Sequence, residues 1–289
     1  MPNNVFIVGC GYVGQAVARS FLDRHIPVRA LTRGNSQPLQ QLGIQPIIGD
    51  LDDPETLKNL HIQSDEIIFY FAPPPISGTT DPRLRNFLNA LTQVPEKIIL
   101  ISTTGVYGDC QGQWITEDQP LNPQADRAKR RVDAENTLKN SELNYTILRV
   151  AGIYGAGKLP IERLQKGIPV LAESQSPFSN RIHIVDLTKV CELAADKAPA
   201  RSIYHVSDGN PTTMTDYFNK VAKVLNLPLP PEIDQKTAKD QLSPEMRSYL
   251  AESKRLNIQK ARSQLGFNPL YPDLTSGLFS IKVDFLERY

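Results

Sequence analysis

The tightest constraint on the chain lies in its first strand and turn. Val5-Phe6-Ile7-Val8 is an apolar β-type run that feeds directly into Gly9-Cys10-Gly11-Tyr12-Val13-Gly14, and an amphipathic stretch, Gln15 to Asp23, follows. In G-x-G-x-x-G between a strand and a helix each glycine has a mechanical task. Gly9 permits the tight turn, Gly11 lets the backbone approach a pyrophosphate, and Gly14 lets helix and strand pack closely. The exposed N–H groups and positive dipole end of the helix then meet the pyrophosphate. Gly9 to Gly14, with Tyr12 and Val13 completing the loop, is a candidate dinucleotide cradle. The alternative is an ordinary strand–helix turn that holds no ligand.

Composition narrows the setting. The 289 residues fit one large domain or a domain with an appended lobe. Hydrophobic content of 40% and charged content of 22% are those of a soluble globular chain. Lys+Arg 32 against Asp+Glu 31 gives no bias toward nucleic acid or an anionic membrane. Cys10, Cys110 and Cys191 are isolated, so neither a disulfide framework nor a zinc site is expected, and no metal constellation is found. Cys10 reads as a small filler in the turn. The first strand starts near Met1 without a signal segment, and no apolar run approaches a membrane span, so a cytoplasmic protein is expected.

Strands are expected at Val28 to Arg33, Gln45 to Ile48, Glu66 to Ala72, Lys97 to Ser102, Tyr145 to Val150 and Ser202 to Val206. Helices are expected from Asp53-Pro54, over Arg83 to Leu91, from near Pro123, after Asp186, over Met214 to Leu225 and over Asp273 to Glu287. This alternation predicts βαβ units with right-handed crossovers, a Rossmann-like, doubly wound parallel α/β sheet. Ligands in such sheets lie at the carboxyl ends of the strands, where Gly9, Arg33, Asp50, Ala72 and Thr103 fall. An acidic residue ending the second strand would select NAD, but Thr32-Arg33 stands there, and no carboxylate lies between Asp23 and Asp50. Arginine pairs instead with a 2′-phosphate, so NADP is the preferred cofactor and NAD the alternative; Arg33 could also simply solvate a loop.

Taken in order, several motifs resemble the extended short-chain dehydrogenase/reductase superfamily, the NAD-dependent epimerase/dehydratase group. They are the glycine turn, Gly49-Asp50, Ser102-Thr103 followed by Val106-Tyr107-Gly108, and Leu148-Arg149 leading to Ile153-Tyr154-Gly155. Arg181-x-His183-x-x-Asp186 and the segment Asn257 to Phe267 complete them. The resemblance implies a Rossmann domain over 1–155, rejoined by 180–206, and a smaller C-terminal substrate-binding lobe, with the closing helix, over 156–179 and 207–289. It also implies that Asp50 and Leu51 contact adenine, that Ala72, Pro73 and Ser102 border the nicotinamide half, and that Thr103 replaces the catalytic Ser/Thr. Arg181 and His183 would face a small-molecule substrate, in a monomer or homodimer. Lys254 and Arg255 are further candidates for a substrate phosphate.

Two departures follow. The family's usual G-x-x-G-x-x-G would need glycine at Val8. More consequentially, its acid/base pair Tyr-x-x-x-Lys is absent, since no tyrosine lies between Tyr107 and Tyr145. Counting back from Glu135 puts Arg131 at the lysine and Arg127 at the tyrosine, one helical turn apart on a shared face. Arg131 could bind the nicotinamide ribose. Arg127 stays protonated, so it cannot act as a base but could clamp a phosphate or carboxylate. Alternatively both lie on a solvated basic face, with Arg131 and Glu135 forming an i,i+4 pair worth about 0.2–0.5 kcal/mol.

The expectation is therefore an NAD(P)-dependent oxidoreductase or epimerase-like enzyme for an anionic, nucleotide-sugar-like substrate. The rivals are a non-catalytic redox sensor that keeps the cofactor fold and a different Rossmann dehydrogenase family. Tyr107 and Tyr154 read as core, and Glu117-Asp118 as a structural turn.

Overall fold

The computed structural model describes residues 2–286. Its centre is a seven-stranded sheet of β1 (Asn4–Val8), β2 (Val28–Thr32), β3 (Gln45–Ile48), β4 (Glu66–Tyr70), β5 (Lys97–Thr103), β6 (Tyr145–Val150) and β7 (Ser202–Val206). The strands lie in the order β3-β2-β1-β4-β5-β6-β7, and every pair is parallel. This is the Rossmann-like α/β fold expected from the alternation of elements. The order reverses between β1 and β4, which opens a crevice at the carboxyl edge.

Side chains alternate across the sheet, as a two-residue period requires. Val5 and Ile7 of β1 enter one layer with Val17 and Phe21 of α1 (Tyr12–Leu22). Phe6 and Val8 enter the other with Leu84 and Phe87 of α2 (Pro82–Asn89) and Ala134 and Leu138 of α3 (Asp126–Lys139). α4 (Ile184–Lys197) covers the α1 side through Leu187 and Val190. Both faces of the central strands β1, β4, β5 and β6 are covered, which is why these strands read as continuous apolar runs.

The C-terminal part packs a separate core. Tyr217, Phe218 and Val221 of α5 (Met214–Val224) meet Leu164, Val170, Leu274 and Leu278. Two short helices, α6 (Gln235–Gln241) and α7 (Pro244–Leu250), follow, and α8 (Leu274–Leu286) closes the described chain. The expected helix end at Glu287 lies outside the described residues. No helix among them is long and apolar enough to cross a membrane.

Two boundaries depart from expectation. The helix from Pro54 is a single 3-10 turn, Pro54–Leu57, capped by the Asp53 carboxylate on the Glu55 N–H. It stops because Leu57 and Leu60 must both turn inward to the sheet. α3 starts at Asp126, because Ala125 before it is still extended.

Candidate functional site

The glycine turn is shaped by what crosses it. After β4 the chain curls over the end of β1, so that Phe71 and Ala72 both donate their N–H groups to the Val8 carbonyl, at 2.7 and 2.9 Å. Gly9 has φ +96°, and a Cβ there would lie 2.7 Å from the Ala72 Cα. It therefore satisfies a positive φ and a close approach at once. A Cβ on Gly14 would meet the Gly9 carbonyl oxygen at 2.7 Å, whereas one on Gly11 would meet nothing within 4 Å. Gly11 thus faces open space at the start of α1, where no side chain caps the helix. The first-turn N–H groups of a helix have no intrahelical acceptor and suit an anion.

Beside this turn lies a cavity of about 370 Å³ lined by Gly9, Thr32, Arg33, Asp50, Leu51, Ala72 and Pro73, all expected from the sequence. Arg83 was not expected. Its guanidinium grips both oxygens of Asp52 at 2.7 and 2.6 Å and donates to the Pro73 carbonyl at 2.9 Å. Its hydrogen bonds hold the Asp52 carboxyl below the usual range. Arg33 is exposed and, among the described residues, makes no ion pair. Tyr12 and Val13 do not line this cavity. Tyr12 packs its buried hydroxyl toward Gly155, with the Lys158 ammonium 5.3 Å above its ring. The Cys10 thiol is pushed up to about 11 by burial, which fits a filler and not a nucleophile.

Pro73 also lines a second cavity, of about 490 Å³, together with Thr103, Arg127, Arg131 and Arg181. The sequence-predicted residues of the reacting end therefore meet in one place. Thr103 caps the 3-10 turn Thr104–Tyr107 by accepting the Gly105 N–H at 3.3 Å, which leaves its hydroxyl proton available. Arg131 donates to the Ala72 carbonyl at 3.5 Å. Burial pushes its pKa down while the Asp81 carboxylate pulls it back. Arg181 sits in a short strand paired with Gly152–Tyr154. A Cβ at Gly152 would stand 3.2 Å from the Arg181 Cζ, so glycine makes room for the guanidinium.

Several expectations need correction. His183 does not line either cavity. It is buried at the N-cap of α4, where Nδ1 accepts the Val185 N–H at 3.3 Å, and its ring lies edge-on to Tyr154 and Tyr271. Its motif marks a helix start, with the ring buried in the interior. Ser102 is likewise turned away from the cavities, because its hydroxyl donates to Glu135 Oε1 at 2.6 Å. Glu135 pairs not with Arg131 but with Arg149, at 3.1 and 2.8 Å, and with Lys139 at 3.1 Å. Arg255 is spent on the Gly112 carbonyl at 2.7 Å, whereas Lys254 does line the second cavity, its ammonium 2.7 Å from Glu252. Tyr107 and Glu117 are structural. The Tyr107 hydroxyl bonds Arg149 at 2.7 Å and His205, and Glu117 Oε1 accepts the His205 N–H at 2.8 Å.

Two cavity groups, Arg130 and Tyr249, were invisible in the sequence, as was Ser248, which lies outside the lining but touches it through Arg127. Ser248 accepts from Arg127 at 2.6 Å, the Tyr249 ring lies 3.9 Å from the Arg127 guanidinium carbon, and Arg130 donates to the Gly78 carbonyl at 2.6 Å. Ser248 and Tyr249 come from α7, more than a hundred residues away, and no local pattern reports such a meeting.

A doubly wound sheet with a glycine-turn cradle at its switch point defines a dinucleotide-binding α/β protein. Residues 9–177 match the model of the NAD(P)H-binding family, and the chain belongs to that family. Its structural neighbours lie in the NAD-dependent epimerase and short-chain dehydrogenase/reductase superfamily. A conserved protein of unknown function from Silicibacter pomeroyi superposes with TM-score 0.83 at 26% identity, covering 98% of this chain and 99% of its own. The UDP-glucose 4-epimerase of Thermotoga maritima, solved with UDP-glucose, superposes with TM-score 0.77 at 18% identity over 99% of both chains, a likeness of fold. In sequence, the 4-hydroxy-2-methyl-3-oxo-4-farnesyl-3,4-dihydroquinoline-1-oxide ketoreductase of Stigmatella aurantiaca is 25% identical over 232 residues, 73% of this chain and 69% of that protein.

Proposed function

We propose that the chain is an NADP-dependent oxidoreductase or epimerase-like enzyme acting on an anionic small molecule, with a nucleotide-sugar phosphate as one form of that anion. The observation that carries this reading is the pair of cavities joined at Pro73. One is built on the glycine turn, and the other holds Thr103 between arginines. Gly9, Gly11, Gly14, Asp50, Leu51 and Ala72 would hold the dinucleotide, and Arg33 would take the 2′-phosphate. Asp52 is a poor rival for the ribose hydroxyls because Arg83 occupies both its oxygens. Bound, the cofactor supplies hydride exchange. Thr103 would donate a hydrogen bond to the reacting oxygen, Arg131 would orient the nicotinamide ribose, and residues 156–179 and 207–289 would close over the substrate. Arg127 cannot titrate and so does not supply the proton.

A regulatory cofactor sensor would place Arg127 and Arg131 on an open partner surface. Both are half-buried and line a cavity, which favours the enzyme. Titrating the protein with NADPH and NADH tests the cofactor assignment. Tighter binding of NADPH supports it, and tighter NADH sinks the NADP choice while leaving the fold's cradle intact. Failure to bind either removes the reading altogether.

A further inference from the structure

The charged side chains lining the first cavity are Arg33, Asp50, Asp52 and Arg83. Their formal charges cancel, so what matters to an entering phosphate is which of them is left uncommitted. The sheet register sets their arrangement. Thr32 at the end of β2 pairs with Ile48 at the end of β3, and the Gly49 N–H donates to the Thr32 carbonyl at 3.0 Å. Arg33 and the turn over 49–53 therefore leave the sheet side by side. Within that turn Asp50 Oδ1 accepts the Asp52 N–H at 3.0 Å, and the Asp53 N–H donates to the Asp50 carbonyl at 3.0 Å.

α2 meets this turn from the opposite wall. Leu84 and Phe87 point into the core, which leaves Arg83 and Asn86, one helical turn apart, on the face toward the turn. Asn86 Nδ2 donates to the Leu51 carbonyl at 2.8 Å. Arg83 Nε and Nη2 donate to the two Asp52 carboxylate oxygens at 2.7 and 2.6 Å, a bidentate fork, and Nη1 donates to the Pro73 carbonyl at 2.9 Å. Arg83 and, more weakly, Arg33 both hold the Asp52 carboxyl down, so Arg33 faces the same turn. A free carboxylate at the end of the second strand accepts ribose hydroxyls and disfavours a 2′-phosphate. Forked by Arg83, Asp52 does neither, and Arg33, which makes no ion pair among the described residues, is left as the uncommitted cation of the lining.

Resting on the reading of this cavity as the adenosine end of an NADP site, we propose that Arg83 is a specificity-determining residue that acts through Asp52. It silences that carboxylate, so the 2′-phosphate meets Arg33 without a second free negative charge in the neighbouring turn. Released from Arg83, the same turn would favour the 2′-hydroxyl of NADH.

The ratio of NADPH to NADH dissociation constants, taken by fluorescence titration at low salt through a double-mutant cycle, tests this role. Arg83→Met should weaken NADPH about ten-fold relative to NADH, the order expected of one uncompensated charge in a partly solvated cavity. Asp52→Asn, which frees Arg83, should shift the ratio the other way, toward NADPH. With both charges removed, the double variant should return to within about two- to three-fold of the wild-type ratio. Both single shifts should shrink in about 1 M salt, where the screening length is about 3 Å. Equal losses of the two cofactors in Arg83→Met would make Arg83 a brace between the Asp52 turn and Pro73, and would overturn the proposal. So would a selective NADPH loss that Asp52→Asn does not rescue, since Arg83 would then touch the phosphate itself. Asp52 is exposed, so its variant keeps the test open should Arg83→Met not fold: an unchanged ratio in Asp52→Asn overturns the proposal. Changes in the ratio decide this role, whereas the wild-type ratio decides the NADP assignment, and the two can fail separately.

Discussion

The Glu135 carboxylate receives two hydrogen bonds from Arg149, at 3.1 and 2.8 Å, with both side chains buried. The pair ties α3 to β6, and Ser102 and Lys139 complete the set of donors to Glu135. Burial alone would raise the Glu135 carboxyl, but Arg149, with Ser102 and Lys139, together outweighs it and holds the group below its ordinary value. A depressed carboxyl contributes stability that is present above the unfolded value and is lost as pH falls through the folded one. Wild-type melting temperature should therefore fall as pH drops below about 4.5, and Glu135→Gln should flatten that limb. At neutral pH Glu135→Ala should lose about 3–5 kcal/mol in denaturant unfolding, because Arg149 is left buried without its partner.

Asp208 shows the opposite sign. Burial pushes its carboxyl up to about 7, against smaller lowering from the Asn210 N–H and the Arg181 charge. A folded-state pKa above the unfolded one means that the native protein holds the extra proton. Its contribution is complete below the unfolded value and fades as pH rises through the folded one. Stability should decline from about pH 4 to pH 7 at no more than about 1.4 kcal/mol per pH unit. Asp208→Asn should remove this slope and melt higher than wild type at pH 8. Parallel pH profiles for the two proteins would refute the assignment.

These two networks mark where local sequence stops being informative. The β1 run and glycine turn were legible because their causes are local: a two-residue burial period and backbone angles only glycine tolerates. The parallel sheet followed from alternation alone. Glu135 was also legible as an anchor, but its partner was not. An i,i+4 neighbour, Arg131, looked sufficient, whereas tertiary packing delivered Arg149 from β6 and sent Arg131 to the Ala72 carbonyl. His183 falls outside both cavities for a related reason, since its spacing to Asp186 also describes a helix start, with Asp186 accepting the Leu270 and Tyr271 N–H groups at 2.6 and 3.0 Å. The α7 wall of the second cavity carries no motif at all.

Arg33 provides a direct test of the cofactor half. If it holds the 2′-phosphate, Arg33→Ala should weaken NADPH by about 1.5–3 kcal/mol, the range for hydrogen bonds to charged groups. NADH, which has no 2′-phosphate, should be altered by no more than about two-fold. The selectivity ratio, measured by fluorescence titration at one salt concentration, is the decisive quantity. Equal losses for both cofactors would make Arg33 a general electrostatic contributor.

Gly9 and Gly11 stand two residues apart and should respond differently to the same substitution. Gly9→Ala places a side chain at φ +96° against the Ala72 backbone. The backbone strain alone costs about 1–3 kcal/mol, so melting temperature and cofactor binding should fall together. Gly11 has φ −87°, and its missing Cβ points into open space. Gly11→Ala should leave stability within about 0.5 kcal/mol of wild type. Its methyl would instead occupy the approach of the pyrophosphate, so NADPH affinity should drop on the order of ten-fold without loss of fold. Thermal melts and NADPH titrations on the two variants separate the tasks. A Gly11→Ala protein that binds NADPH like wild type would mean that the pyrophosphate does not pass over this residue.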